Sequence, residues 1–446
     1  VTSLQSARAK SGPPLKSESQ PLPSHPEALR PSWFWTGFWS LIAALIPIMR
    51  LQSAEGLWQM PLRRVKYVIF LALIVSALFR LVARPIGLPV WLGAAVFIPF
   101  AGFLSGYSSS PTTSVIMATQ LALLCALAPL VFRYHVVHTR DFLPWVLGAF
   151  LISQTLSATA GLIQLTAAPV LGQAAIAERS TGFAGHPNTL GIMSVIAILT
   201  TLTLTGQSSQ LVKVGLWGAF GVNAVALIAT GSLSAMLAGA VGAAVVAIGR
   251  RRVAAALAVG VAAWGAGALF GLGNTWFANF VEYRIALVTG EAASAGDASL
   301  EIRALTYQWA FEHISNDPVF GVGMDNLNSG TFNGVTVVHN YLLHAWYQGG
   351  LMLFLWFVGV TAVVVVGTVR AIRSRRGLGG AAVATALIAF AATSSFFLQQ
   401  QYWIPLLFAV AMLPVRRDRE APSEAPALES PPTGAFTGDA RNRRWV

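Results

Sequence analysis

Twelve apolar runs of membrane-spanning length decide what this chain can fold into. They lie near 33–49, 67–83, 88–105, 115–132, 144–166, 188–205, 211–230, 232–249, 253–272, 341–369, 379–398 and 402–415. A hydrocarbon core of about 30 Å needs roughly 20 consecutive apolar residues in a helix. Backbone polar groups in lipid must be satisfied within the segment, so such runs become helices. Pro47, Pro99, Pro129 and Pro405 fall inside runs, which membrane helices tolerate because neighbours re-satisfy the freed carbonyls. Only 10% of the residues are charged, where a soluble globular protein carries about 25%. The fold class is therefore all-α: a polytopic membrane protein of about twelve transmembrane helices.

The net charge of +12 does not point to nucleic acid, because the basic residues sit in short clusters between the runs, as membrane topology requires. Arg133 and Arg140 flank one loop, Arg250, Arg251 and Arg252 fill another, Arg370, Arg373, Arg375 and Arg376 a third, and Arg416, Arg417 and Arg419 follow the last run. With twelve spans these clusters share one side, read as cytoplasmic together with both termini. One loop resists: 50–66 would be outside, yet it carries Arg50, Arg63, Arg64 and Lys66. The Pro/Ser-rich residues 1–32 lack an uninterrupted apolar core and a small-residue cleavage site, so they read as a disordered tail and not a signal peptide. Residues 416–446 read likewise. The single cysteine, Cys125, lies mid-span, which leaves no disulfide framework and no thiolate metal site.

No Asp or Glu falls within any run. A proton- or sodium-coupled transporter normally needs carboxylates near the midplane, so that class is disfavoured. Arg80 and Lys213 lie near span ends, where long side chains snorkel. The domain reading is a tail at 1–32, helices one to nine over 33–272, one large extracytoplasmic loop at 273–340, helices ten to twelve over 341–415, and a tail at 416–446.

That loop is the long polar interruption, with seven acidic residues against Arg284 and Arg303. It contains a helical stretch, Ser299 to Ile314, in which Ile302, Leu305 and Trp309 recur on one apolar face and Arg303, Tyr307 and Ala310 on a neighbouring one. Asn316-Asp317-Pro318 stops that helix, and Gly321 and Gly323 bound the connection that follows. His339-Asn340 closes the loop at the mouth of the next span. In the earlier outward loop, Arg179 precedes Ser180-Thr181-Gly182, and Gly185-His186-Pro187 leads to a helix opening at Asn188 or Thr189, with Asn188 as natural N-cap. A helix N-terminus with free N–H groups attracts phosphate; an ordinary capped span with one solvated arginine is the plainer alternative, as a capped His339 is at the other loop.

Four segments, RSTGFAGHPNTLG (179–191), ATGSLSAMLAG (229–239), LEIRALTYQWAFEHISNDPVFGVGMDNL (300–327) and VVHNYLLHAWYQGGL (337–351), in that order and spacing, resemble the O-antigen ligase and O-antigen polymerase superfamily. The resemblance covers about 170–360 by motif and the whole chain by span count. It implies a GT-C-like integral-membrane glycosyltransferase that takes a glycan from a polyprenyl pyrophosphate donor to a glycan or lipid acceptor, with no metal and no cofactor. Carried over residue by residue, it implies catalytic roles for Arg179, Arg303 and His339, and substrate contacts at Arg284, His186, Asn188 and Asn340. Arg63 and Arg64 would attract the anionic donor. The chain departs from the pattern at Gly231-Ser232-Leu233-Ser234, where the family commonly has Ser-Arg, which puts a donor contact there in doubt.

The chemistry suits these residue types. A leaving pyrophosphate needs fixed cations, and the arginine fork matches phosphate geometry. An acceptor hydroxyl needs a base near ambient pH, which histidine supplies. The first outward loop offers only Glu55 and no Asp-x-Asp pair to hold a cation. Ligase and polymerase stay open, and a polysaccharide flippase or an envelope-assembly scaffold is the alternative of another class.

Overall fold

The structure, a computed structural model, describes residues 33–48, 59–106, 110–139, 141–166, 169–176, 179–205, 209–251, 297–324, 332, 336–394, 396 and 399–415. Both expected tails, the expected span at 253–272 and loop residue Arg284 lie outside the described residues. The described residues form twelve α-helices: α1 Trp33–Leu45, α2 Gln59–Leu78, α3 Leu88–Gly106, α4 Pro111–His138, α5 Phe142–Thr166, α6 Pro187–Leu204, α7 Gln210–Ala229, α8 Leu233–Gly249, α9 Asp297–Asn316, α10 Tyr341–Ser374, α11 Leu378–Ala391 and α12 Gln400–Ala411. Six of them (α3, α4, α5, α6, α7 and α10) are long and apolar enough to cross a membrane. Helices α8, α11 and α12 are apolar but shorter, as is α1 with the 3-10 turn Ile46–Ile48. The chain is an all-helical polytopic membrane protein. The twelve helices are not the twelve expected spans, because α9 belongs to the large loop.

The helices interleave so that the bundle has two distinct ends. At one end Ser114, near the start of α4, accepts from the Met324 N–H at 3.0 Å, and Gln164, near the end of α5, donates to the Gly182 carbonyl at 3.1 Å. Ser234 at the start of α8 meets the Thr393 carbonyl, and Thr189 in α6 meets Tyr402 in α12 at 2.8 Å. At the other end Arg250 donates to the Leu202 carbonyl at 2.8 Å. Arg133, which the charge pattern assigned to a loop margin, is instead buried there. It donates to the carbonyls of Ala411 and Leu413 at 3.1 and 3.0 Å. A cation at a helix C-terminus meets the unsatisfied carbonyls and the negative end of the dipole.

The basic stretch expected in the loop 50–66 is corrected in part. Helix α2 starts at Gln59, so Arg63 and Arg64 lie in its first two turns. Hydropathy misses them because a helix can carry exposed cations at its end; Arg64 is exposed, and Lys66 donates to Gln120 of α4 at 3.4 Å. Lys66 pairs with the early part of α4 and the Ala83 N–H bonds the Leu130 carbonyl near its end at 3.0 Å, so α2 runs parallel to α4 and begins at the Ser114 end.

The main core is continuous through the bundle, with Trp91, Phe132, Phe357, Phe390 and Trp403 fully buried. Lipid tails are as apolar as leucine, so close approach at small residues does much of the packing; a Cβ at Gly102 of α3 would overlap Ala118 of α4. A second, smaller core joins α9 to the first turns of α10 through Ala310, Ile314, Val338, Leu343 and Tyr347. The buried stripe of α9 is therefore Thr306, Ala310 and Ile314, whereas Leu305, expected on the apolar face, is exposed. The partner is the wall of α10, so packing, not the most apolar stripe, sets the azimuth.

Candidate active site

Two arms converge at the Ser114 end. The first is the loop before α6. Tight antiparallel pairings, Val170 with Gln173 and Ile176 with Arg179, fold it back on itself. Gln164 fixes it from α5, its Oε1 accepting from the N–H groups of Thr181 and Gly182 at 3.2 and 3.0 Å. Half-buried Arg179 donates through Nε to the Thr230 carbonyl at 2.7 Å and through Nη2 to Asn188 Oδ1 at 2.9 Å. The helix cap is two residues earlier than expected, at His186 and not Asn188. His186 is the N-cap, its Nδ1 accepting from the Asn188 N–H at 3.1 Å, with Pro187 as first helical residue. Proline favours that place, where its missing N–H would be unsatisfied anyway. Asn188 is thus freed from capping to hold Arg179.

The second arm is α9 with the end of the large loop. Arg303 and Tyr307 lie one turn apart, hence on one face of the helix. The Tyr307 hydroxyl donates to the His339 carbonyl at 3.0 Å. The Arg303 charge acts on both Tyr307 and His339. Burial, chiefly, and the Arg303 charge hold the His339 imidazole well below its usual range, at about 4, against a weaker opposite effect of the Val337 backbone. His339 Nδ1 is buried with no hydrogen-bond partner among the described residues. Asn340 caps α10, its Oδ1 accepting from Leu342 and Leu343 N–H at 3.0 Å each, and its Nδ2 donating to the Ala392 carbonyl at 3.2 Å. His344 was expected to point away because five residues span about 140° of a helix. The helix begins only at Tyr341, so that count does not apply; His344 is fully buried and within electrostatic reach of His339.

The two arms share supports. Asn340 holds Ala392, whose neighbour Thr393 meets Ser234 of α8, three residues after the Gly231 turn that follows the Thr230 carbonyl bound by Arg179.

Below α9 the chain forms a clasp. Helix α10 is broken at Gly350, where φ is 67° and ψ −169°. The break frees the carbonyls of Tyr347 and Gln348, and these accept from the N–H groups of Val322 and Gly323 at 3.0 Å each. The Leu351 N–H returns a bond to the Val319 carbonyl at 3.1 Å. Trp346 Nε1 donates to the Pro318 carbonyl at 2.9 Å, and Asp317 Oδ1 accepts from the Phe320 N–H at 3.1 Å. Only glycine fits at the junction: a Cβ on Gly350 would overlap the Val319 carbonyl, and Gly321, with φ 73°, lies against the backbone of 347–350. Val319 and Phe320 roof an apolar groove of about 500 Å³ between α3 and α10, lined also by Val90, Phe97, Met352 and Trp356.

Residues 218–358 match the family model described as O-Antigen ligase. The chain carries an O-antigen ligase domain. That domain takes in α9, the clasp, His339 and the N-terminal half of α10, together with Arg303 and Asn340; Arg179, His186, Asn188, Arg63 and Arg64 precede it. A comparison with the curated proteins finds no match. Among the described residues, no three His, Cys, Asp or Glu side chains group as a metal-holding set within or outside the O-antigen ligase domain. Sequence reasoning missed Tyr307 as a partner of His339; its i+4 spacing from Arg303 was the available signal.

Proposed function

We propose that this protein transfers a glycan from a polyprenyl pyrophosphate to an acceptor hydroxyl, as a GT-C-like, O-antigen ligase-type glycosyltransferase. The observation that carries the reading is the docking of the Arg303 helix on His339 within the matched domain. In the reaction the anomeric C1–O bond to pyrophosphate breaks and a bond from the acceptor oxygen to C1 forms. His339 removes the acceptor proton, and Arg303 and Arg179 stabilise the charge gained by the leaving pyrophosphate. In this reading their charges do the work a metal would do. Without donor, burial and the Arg303 charge keep the imidazole neutral and weakly basic; pyrophosphate on Arg303 would offset the charge part and raise the proton affinity of His339 as the proton arrives. Arg284 is a further candidate phosphate contact. Asn340 is engaged in capping and would act by fixing the turn.

The bundle end holding Arg179 and His339 would face outward. Support comes from Arg250, Arg251, Arg370, Arg373, Arg375 and Arg376 at the opposite end, which the positive-inside rule makes cytoplasmic. Both termini would then be cytoplasmic. Arg63, Arg64 and Lys66 begin α2 on the outward side, where each cation near a lipid surface attracts anions by about 1 kcal/mol. The apolar groove under the clasp suits a lipid tail entering sideways. Polymerase action remains the second reading within the superfamily, since growing chain and foreign acceptor both present a hydroxyl.

The test incubates purified protein with lipid-linked oligosaccharide and candidate acceptors and follows release of polyprenyl pyrophosphate. Loss of a general base costs about 10²–10⁴-fold in rate, so His339→Ala should fold and be nearly inactive. Full activity of that variant would remove His339 as the base, whereas no release by the wild-type protein with any acceptor would favour a flippase or a scaffold.

A further inference from the structure

We propose that Tyr307 is a positioning residue: its hydroxyl, donating to the His339 carbonyl, fixes the histidine turn against the helix that carries Arg303. The proposal rests on the reading of His339 as the base.

A catalytic histidine is normally oriented by a hydrogen bond to its second ring nitrogen, often from a carboxylate. Here the ring has no side-chain partner among the described residues. Nδ1 is buried and unpartnered among the described residues, and the ring's polar neighbour on its own strand of chain is the Val337 backbone. Orientation must then come from the main chain. The His339 peptide is held on its carbonyl side by Tyr307, and the following residue, Asn340, is pinned by its cap bonds and by Ala392. Val338 is buried in the small core beneath α9. Among the described residues, the Tyr307 bond is thus the hydrogen bond that links the Arg303 face of α9 to the histidine. Burial raises the Tyr307 phenol above its usual range, so it remains a donor at every working pH.

The groups that face His339 are Arg303 and Tyr307 from α9 and His344 from α10. Burial, chiefly, and the Arg303 charge depress the imidazole, and the charge does so only while α9 stays close. Releasing α9 therefore lets the His339 pKa rise from about 4 toward its ordinary value of 6.5. The sign is definite: the neutral base exists above its pKa and is lost as pH falls through it, so the acid limb of activity moves upward.

Two readouts test this on the full-length membrane protein. The first is carbethoxylation of His339 by diethyl pyrocarbonate, resolved by mass spectrometry, which reads the neutral imidazole without any turnover. The second is steady-state release of polyprenyl pyrophosphate. In Tyr307→Phe the labelling midpoint should move upward, and kcat should fall about tenfold to 10²-fold, the scale of a displacement near 1 Å, with the donor KM changed less than threefold. Arg303→Gln should also raise the midpoint, by the share of the charge alone, because burial is the larger cause of the depression. An unshifted midpoint in folded Tyr307→Phe or an unchanged kcat would each overturn the proposal. Full activity of His339→Ala would instead strike the reading of His339 as the base, and the labelling result would still stand by itself.

Discussion

Gly350→Ala is the sharpest probe of the clasp. The residue has φ 67° and ψ −169°, a region essentially restricted to glycine, and occupying it with a side chain costs about 1–3 kcal/mol. The new methyl would also overlap the Val319 carbonyl. Relief requires the 319–323 segment to withdraw, which gives up the bonds to Tyr347, Gln348 and Leu351. Each is worth about 0.5–1.5 kcal/mol net. Those bonds set the cost of opening in the wild type as well; the substitution's own contribution is the backbone strain of about 1–3 kcal/mol that opening relieves, which at 1.4 kcal/mol per tenfold shifts clasp opening by about 5-fold to 10²-fold before the overlap is added. The helices beneath keep their own packing, so the opening is local. Hydrogen exchange read by mass spectrometry should show peptides across 317–324 and 345–352 losing protection by that factor, with α4 and α11 unchanged. Glycan transfer should fall with it, because the clasp anchors α9. Gly215→Ala is the control: a Cβ there meets nothing within 4 Å, and alanine gains up to about 1 kcal/mol in helix propensity. Wild-type protection of both peptides in Gly350→Ala would refute the reasoning.

The remaining predictions are simpler. Arg179→Lys keeps the charge but loses the fork that reaches Thr230 and Asn188 together, so kcat/KM should drop tenfold or more, about 1.4 kcal/mol of transition-state binding; unchanged kinetics would remove Arg179 from the mechanism. Arg133→Met should lower thermal stability in detergent by about 2–4 kcal/mol, since two charge-assisted bonds to the end of α12 vanish, while the donor KM stays as it was. In a Cys125→Ser background, an impermeant thiol reagent on intact cells should label Ser315→Cys and spare Ser374→Cys; the reverse pattern would invert the orientation. His344→Ala should destabilise the α10 N-terminus, seen as a lower Tm, because the side chain it removes is fully buried.

Most helix positions were legible because lipid leaves a helix no other way to satisfy its backbone. Thus 88–105 and 144–166 in the hydropathy became Leu88–Gly106 and Phe142–Thr166. The start of α2 was not, since Arg63, Arg64 and Lys66 interrupt the apolar signal without interrupting the helix. Arg133 misled for the opposite reason: its partners, Ala411 and Leu413, are main-chain carbonyls 278 and 280 residues away, and no composition announces them. Residue types marked Arg303 and His339 as candidates, but the choice of Tyr307 as the linking residue depends on the azimuth of α9. That azimuth is set by Ala310 and Ile314 meeting Tyr347, a tertiary fact. His186 outcompeted Asn188 as cap because Pro187 takes the first helical place.

The break in α10 also sets a depth. An unbroken helix of 34 residues would be ~51 Å long, far more than the ~30 Å of a hydrocarbon core. Beyond Gly350 the segment from Leu351 to Ser374 measures ~36 Å, enough to cross with a modest tilt. The turns before the break add ~14 Å, more than the crossing needs. Asn340 and His339 ride at their top, with Arg303 alongside. In the proposed reading those turns would stand in the headgroup layer, level with the phosphates of a membrane-anchored donor, where a hydroxyl arriving from water needs no passage through oil. A water-soluble sugar nucleotide would have no anchor to keep it at that level, so such a site would sort donors by where they dwell before any sugar is recognised.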